Sequence, residues 1–264
     1  MSFGICNLVT KMPTYQEKMD ELARVQGGYF YPWKSTIAAG DGESAYTQMV
    51  RAALDTDLVV VEAGCGHGPD IPLFAARVHR YIAYDYSPGL LELAKEQVRA
   101  LSLHNVELHL VDSDPERGGR IPAADASADL IVSRRGPTNF IRDARRVLKK
   151  GGRMIQLNPM HWMPDWNRDL PPRLRVAAEP VEIEPRIEAL LEGQGLVFET
   201  ARVIDVGEYL PSAQELWKYL SFLKDDPPAW NAVRGALEEV FAHYAGRQGL
   251  ELRNRRFLWS ARND

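Results

Sequence analysis

The stretch VVVEAGCGHG at 59–68 restricts the possible folds of this chain more than any other feature. Leu58–Ala63 is an apolar, β-branched run broken only by Glu62, as expected of a strand buried on both faces. Glycines follow at 64, 66 and 68. Glycine tolerates positive φ and leaves no Cβ between the backbone and a ligand. A helix from about Pro69 to Val78 then offers free amide hydrogens at its start, where a polar or negative group can be held. A tight strand-to-helix turn would explain the glycines alone, but it has no need of an acid, Glu62, two positions ahead of them. The pattern points to a parallel α/β sheet with a ligand at its carboxyl edge.

The chain beyond repeats the same alternation. Further strands are expected at Arg80–Asp85, Val106–Asp112, Ala128–Ser133 and Arg153–Leu157. Helices are expected over about Pro88–Leu101 and Asn139–Lys150, the latter with Ile141, Ala144, Val147 and Leu148 at helical spacing. Past Pro159 the Pro-, Trp- and Met-rich run PMHWMPDWNRDLPPR reads as an irregular excursion over the surface. A helix around Ile187–Leu191, a strand Val197–Tyr209, two helices (about Ala213–Leu223 and Pro228–Ala245) and a strand Glu251–Ala261 complete the chain. The last two strands should form an antiparallel pair. Ahead of Leu58, helices over about Tyr15–Val25 and Glu43–Leu54 flank the aromatic segment GGYFYPWKS.

Composition narrows the function classes. With 45% apolar and 26% charged residues in 264, the chain has material for a sheet covered on both faces. A formal net charge of -4 leans away from nucleic acid, whose binders rely on neutralising phosphates. The pairs Arg134–Arg135, Arg145–Arg146 and Arg255–Arg256 are not joined by a basic stripe and read as solvated edges. Two cysteines, Cys6 and Cys65, make no disulfide framework and fit a reducing, cytoplasmic setting. No apolar run approaches the ~20 residues of a membrane span. The short apolar stretch at the amino terminus has no basic region before it, which argues against a secretory signal. No residue cluster has metal-ligand spacing.

A dinucleotide-binding turn would read G-x-G-x-x-G, but Gly64 and Gly66 are followed by Pro69 where its third glycine belongs. The E-x-G-x-G-x-G form instead resembles motif I of the class I S-adenosylmethionine-dependent methyltransferases. The resemblance continues through Asp85 in YIAYDYSPGLLELAK, HLVDSDP, ADLIVSRRGP and the VLKKGG turn, in order over about Leu58–Leu157. That family commonly has L-x-P-G-G at the last place; here Lys150 replaces Pro. The resemblance implies a seven-stranded, mostly parallel Rossmann-like sheet with helices on both faces and the last strand antiparallel. It implies S-adenosyl-L-methionine as cofactor, held by Glu62, Gly64, Cys65 and Gly66 at the turn. Asp85 would accept from the ribose, Tyr86 would lie against the adenine, and Asp112 or Ser113 would meet its edge. Ser133 ends the fourth strand beside them. Taken singly, Asp85 and Asp112 also suit helix capping. One domain over 1–264 is expected: a helical cap (1–56), a cofactor-binding half (57–158) and a carboxyl-terminal half with a helical insertion (159–264).

Subfamily signatures exclude some acceptors. Cytosine C5 methyltransferases use a Pro-Cys nucleophile after the fourth strand, where this chain has Ser133-Arg134-Arg135-Gly136-Pro137. Nucleic-acid amino methyltransferases carry D/N-P-P-Y/F there; Asn158-Pro159-Met160-His161 comes one strand too late. Aminopropyl transferases need an acidic cluster where this chain is basic. Methyl transfer is an in-line displacement that asks chiefly for alignment and dryness, so no single side chain is obligatory. Arg134 and Arg135 can clamp an acceptor's carboxylate or phosphate, with strand alternation sending one into the cleft, or can anchor the loop to a nearby acid. His161 and Asp165 can take a proton or serve as plain loop residues. Tyr29, Tyr31 and Trp33 can cover the cofactor or pack the cap. The expectation is a methyltransferase acting on a small molecule at N, O or C. RNA or protein methylation and a non-catalytic S-adenosylmethionine binder are the alternatives.

Overall fold

The computed structural model describes residues 13–160, 162–176 and 182–264. Its strands are β1 (Thr36–Ile37), β2 (Val59–Ala63), β3 (Arg80–Asp85), β4 (Val106–Leu110), β5 (Ala128–Arg134), β6 (Leu148–Pro159), β7 (Val197–Leu210) and β8 (Leu250–Arg262). Its helices are α1 (Tyr15–Gln26), α2 (Gly42–Ala53), α3 (Ile71–Phe74), α4 (Pro88–Ala100), α5 (Ile141–Val147), α6 (Ile183–Gln194), α7 (Ala213–Ser221) and α8 (Trp230–Tyr244). The strands form one sheet in the order β1-β7-β8-β6-β5-β2-β3-β4. The run from β4 to β6 is parallel, whereas β8 lies antiparallel to both β6 and β7.

The sheet therefore has eight strands, not seven. The extra one is β1, which pairs Thr36 and Ile37 with Tyr209 and Glu208 at the edge. Two residues inside an aromatic, glycine-bounded segment carry no alternation that could announce a strand. The helix expected over Asn139–Lys150 stops at Val147, and β6 already includes the Gly151–Gly152 bend. The helix expected after the glycine turn is one α turn followed by a 3-10 turn.

Apolar side chains bury both faces of the sheet. Val61, Ile82, Ile131 and Trp259 face α5 and α6, while Val60, Tyr81, Leu130 and Leu258 face α2, α3 and α4. A third core joins α7 and α8 to the end of the β7–β8 hairpin. The Pro- and Trp-rich run belongs to this core, contrary to its surface reading. Two 3-10 turns bury Trp166, Leu170 and Leu174 there, and the Trp166 Nε1–H donates to the Glu251 carbonyl at 3.2 Å. A fourth, small core packs Met19 and Ala23 of α1 on Leu90 of α4.

Candidate active site

The carboxyl ends of β2, β3, β4 and β5 open into a cavity of 640 Å³, within the usual size of small-molecule sites. The glycine turn forms its floor. Gly64 (φ 69°) and Gly66 (φ 56°) both have left-handed backbones, which glycine adopts without strain. A Cβ on Gly64 would stand 2.8 Å from Pro137, so that glycine also allows a close approach between two loops. A Cβ on Gly66 would meet nothing within 4 Å, which leaves its cavity face free for a ligand. The amides of Gly64 and Cys65 both donate to the Tyr84 carbonyl, at 3.0 Å each, fixing the turn to the end of β3.

Asp85, at the end of β3, organises the turn beside it. Its Oδ2 accepts from the Gly66 amide at 2.8 Å and its Oδ1 from the Ser87 amide at 2.9 Å. The Tyr86 amide stabilises the same carboxylate, and of its roughly four acceptor positions about one stays available. Burial raises the Asp85 carboxyl, opposed by the backbone amides that stabilise its charge. Glu62 is buried and accepts from the Tyr81 hydroxyl at 2.9 Å. Burial, then the neighbouring Asp70, push its carboxyl well above the usual range. Cys65 is buried too, and its thiol is raised by the same cause. A thiol held protonated is a poor nucleophile.

The expected cofactor residues converge only in part. Glu62, Gly64, Cys65, Gly66, Asp85, Tyr86, Asp112 and Ser113 all line the cavity. Asp112 is already engaged there, receiving Arg117 Nη2 on Oδ1 at 3.1 Å and pairing with its Nε at 3.0 Å. Tyr86 stacks on Tyr15 of α1, with planes 7° apart and centroids 6.4 Å apart. Ser133 stands apart from the cavity: it is fully buried and donates to the Ala63 carbonyl at 2.9 Å, tying β5 to β2. His161 lies outside the described residues.

Arg134 and Arg135 both line the cavity, so strand alternation does not separate them. The reason is local: β5 ends at Arg134, and Arg135 adopts φ 61°, a left-handed conformation that costs a non-glycine residue about 1–2 kcal/mol. Their charges are met within the fold. Arg134 Nη2 is 2.7 Å from Asp70 Oδ1, and Glu43 of α2 lies 3.5 Å from Arg134 and 3.3 Å from Arg135. Arg135 Nη1 also donates to the Tyr31 hydroxyl at 3.0 Å. Anchoring to nearby acids is the alternative that the sequence left open.

The sequence announced a helical cap and a covering aromatic segment, but not which residues of α1 line the cavity. Thr14, Tyr15, Gln16 and Met19 line it from the start of the chain described. Gln16 Nε2 donates to the Tyr86 carbonyl at 2.9 Å, and Asp20 accepts from the Ser87 hydroxyl (2.5 Å) and the Gly89 amide (2.9 Å). The amphipathic spacing of α1 was legible as a helix, but not which face of the sheet it covers. The aromatic segment continues the roof. Tyr29 lines the cavity, whereas Tyr31 and Trp33 stack at 4.4 Å and pack edge-on to Phe222 of the carboxyl-terminal half.

Comparisons with known proteins agree with this architecture. Residues 61–156 match the family described as a methyltransferase domain. The chain is 27% identical over 165 residues to an uncharacterised 37.1 kDa protein in transposon TN4556 of Streptomyces fradiae, covering 58% of this chain and 46% of that protein. It thus spans about half the length of the curated relative it matches. Among solved structures, a functionally unknown protein from Deinococcus radiodurans R1 superposes with a TM-score of 0.67 at 25% identity, covering 94% of this chain and 100% of the other. The cyclase SpnF gives a TM-score of 0.59 at 19% identity, with 96% and 97% covered. Geranyl diphosphate C-methyltransferase from Streptomyces coelicolor A3(2), solved with S-adenosyl-L-homocysteine, gives 0.54 at 15% identity, with 94% and 98% covered. The last two likenesses concern the fold alone.

Proposed function

We propose that this chain, whose residues 61–156 match a methyltransferase-domain family, is a class I S-adenosylmethionine-dependent methyltransferase that methylates a small, uncharged acceptor in the cavity described above. One observation carries the reading. The left-handed Gly66, with open space where a Cβ would be, adjoins the buried Asp85 carboxylate with an acceptor position to spare. A nucleoside whose ribose meets Asp85 and whose charged tail meets the turn fits that pairing of shape and chemistry. The cofactor, when bound, supplies an electrophilic methyl on a sulfonium.

The chain's own residues then have separable tasks. Asp85 orients the ribose, and Glu62 with the open face of the glycine turn holds the tail. The α1 roof and Tyr29 exclude water, which strengthens every polar contact inside. Asp70, lifted by burial to about 6 against the pull of Arg134, is a carboxylate at the acceptor end placed to take a proton. Two features support a small acceptor: α1 and Tyr29 partly cover the cavity, and the arginines that line it are occupied by Glu43 and Asp70. That pairing also removes the reason for an anionic acceptor, since neither guanidinium needs one to be desolvated.

Incubation with methyl-labelled S-adenosylmethionine and fractionated cell extract tests the reading. The account expects label in the small-molecule fraction. Label in RNA or protein would move the acceptor class, and cofactor binding without transfer to any fraction would favour a non-catalytic binder.

A further inference from the structure

The aromatic strap Gly27–Lys34 rests on the side chain of His67 in the glycine turn. The Tyr29 amide donates to His67 Nδ1 at 3.2 Å. The Phe30 ring lies 4.8 Å from the imidazole, tilted by 58°. Gly28 sits so close above it that a Cβ would stand 3.0 Å from the imidazole Cγ and Cδ2. His67 and Tyr29 both line the cavity, one from its floor and one from its roof. The contact therefore joins the part that would touch the cofactor to the part that covers it.

The chemistry of the contact fixes a protonation state. A neutral imidazole has one bare nitrogen and one N–H. The Tyr29 amide can only donate, so Nδ1 is the bare nitrogen and the proton sits on Nε2. A charged ring would carry hydrogen on both nitrogens and set two donors face to face. The surroundings oppose that charge: burial first, then Arg134 and Arg135 at the end of β5, hold the imidazole below its ordinary value. Two carboxylates of the site, Asp70 after the turn and Glu43 on α2, are engaged by those arginines.

Resting on the methyltransferase reading, we propose that His67 is a positioning residue, which as a neutral Nε2–H imidazole latches the Gly27–Lys34 strap to the glycine turn and closes the roof over bound cofactor. It acts through Tyr29 and the turn, not on the reacting atoms.

Hydrogen exchange at the Tyr29 amide of the full chain reads the latch directly, with calorimetric titration of S-adenosylhomocysteine as the second measurement. Wild type, His67→Leu and His67→Asn are compared between about pH 5 and about pH 8, with intrinsic rates corrected for pH. The wild-type amide should be protected at the upper end and lose protection as the imidazole charges. His67→Leu should leave it unprotected throughout and weaken the probe by several-fold to about tenfold, the scale of a lost hydrogen bond. His67→Asn, whose Oδ1 can accept but does not titrate, should keep protection at both ends. Wild-type exchange and affinity in a folded His67→Leu protein overturn the proposal. If that variant does not fold, the pH contrast between wild type and His67→Asn decides, and its absence overturns the proposal equally. Should no form bind S-adenosylhomocysteine while Tyr29 exchange still depends on His67, the cofactor reading fails and the latch stands.

Discussion

Asp70 is fully buried beside the cavity, with Arg134 at 2.7 Å and Glu43 beyond it. Burial lifts its carboxyl from 3.8 to about 6, while Arg134 pulls the other way. The proton is thus held more tightly in the fold than in the unfolded chain. This group's contribution to stability is fully present below about pH 3.8 and is lost as pH rises through about 6. Asp70→Asn removes the titration, so melting temperatures should move in the variant's favour, relative to wild type, between about pH 4 and about pH 7. A constant difference across that range, or one moving the other way, contradicts the assignment. The sequence made the Arg134–Arg135 pair conspicuous, but not its partners. Glu43 is 91 positions away from Arg134, and Asp70 read only as part of the helix after the glycine turn. Ser133 shows the opposite limit. Its place at the end of a strand suggested the ligand, whereas its side chain points into the sheet and holds Ala63.

At the scale of elements, α1 is held over the site by contacts to two distant segments. Asp20 receives the Ser87 hydroxyl and the Gly89 amide at the start of α4, and Lys18 reaches the Leu223 carbonyl at 2.8 Å and Asp225 at 2.5 Å. Asp20→Ala should therefore loosen the roof without dissolving the sheet. Loss of the two hydrogen bonds predicts a fall in unfolding free energy of about 1–3 kcal/mol and cofactor binding weaker by several-fold. Denaturant unfolding and calorimetry check both; wild-type cofactor affinity in this variant would mean that α1 only packs. The helix itself was legible: Thr14 caps it in a box with Glu17, and Gly27 ends it in a left-handed turn. Its docking was not, because Asp20 and Gln16 look like exposed polar residues until α4 and Tyr86 stand beside them. Elements of a few residues were lost or overdrawn for a different reason: β1 went unread, and α3 was expected as a longer helix. Neither β1 nor the single turn of α3 is long enough to show a period.

Over the whole molecule, the sequence revealed most where physics is most repetitive. Parallel strands packed between helices impose recurring apolar runs, and β2 to β6 each appear where the sequence placed a strand, with β4 half-buried at the edge. The carboxyl-terminal half obeys no such period past Pro159, and its Trp-rich run is a core because α7, α8 and the β7–β8 hairpin come together around it. Two of these units meet at the site: the sheet's carboxyl edge supplies the floor, and Phe222 of the carboxyl-terminal half supports the aromatic strap. The central claim is that this floor binds S-adenosylmethionine through the glycine turn and Asp85. Titration of the folded protein with S-adenosylhomocysteine, in wild type and Asp85→Ala, tests it most directly. The account predicts one site per chain in wild type. It predicts affinity lower by roughly ten- to a hundredfold in the variant, which loses a charged acceptor and the brace on the Gly66 amide. No binding by wild type, or equal affinity in a folded Asp85→Ala protein, would contradict it.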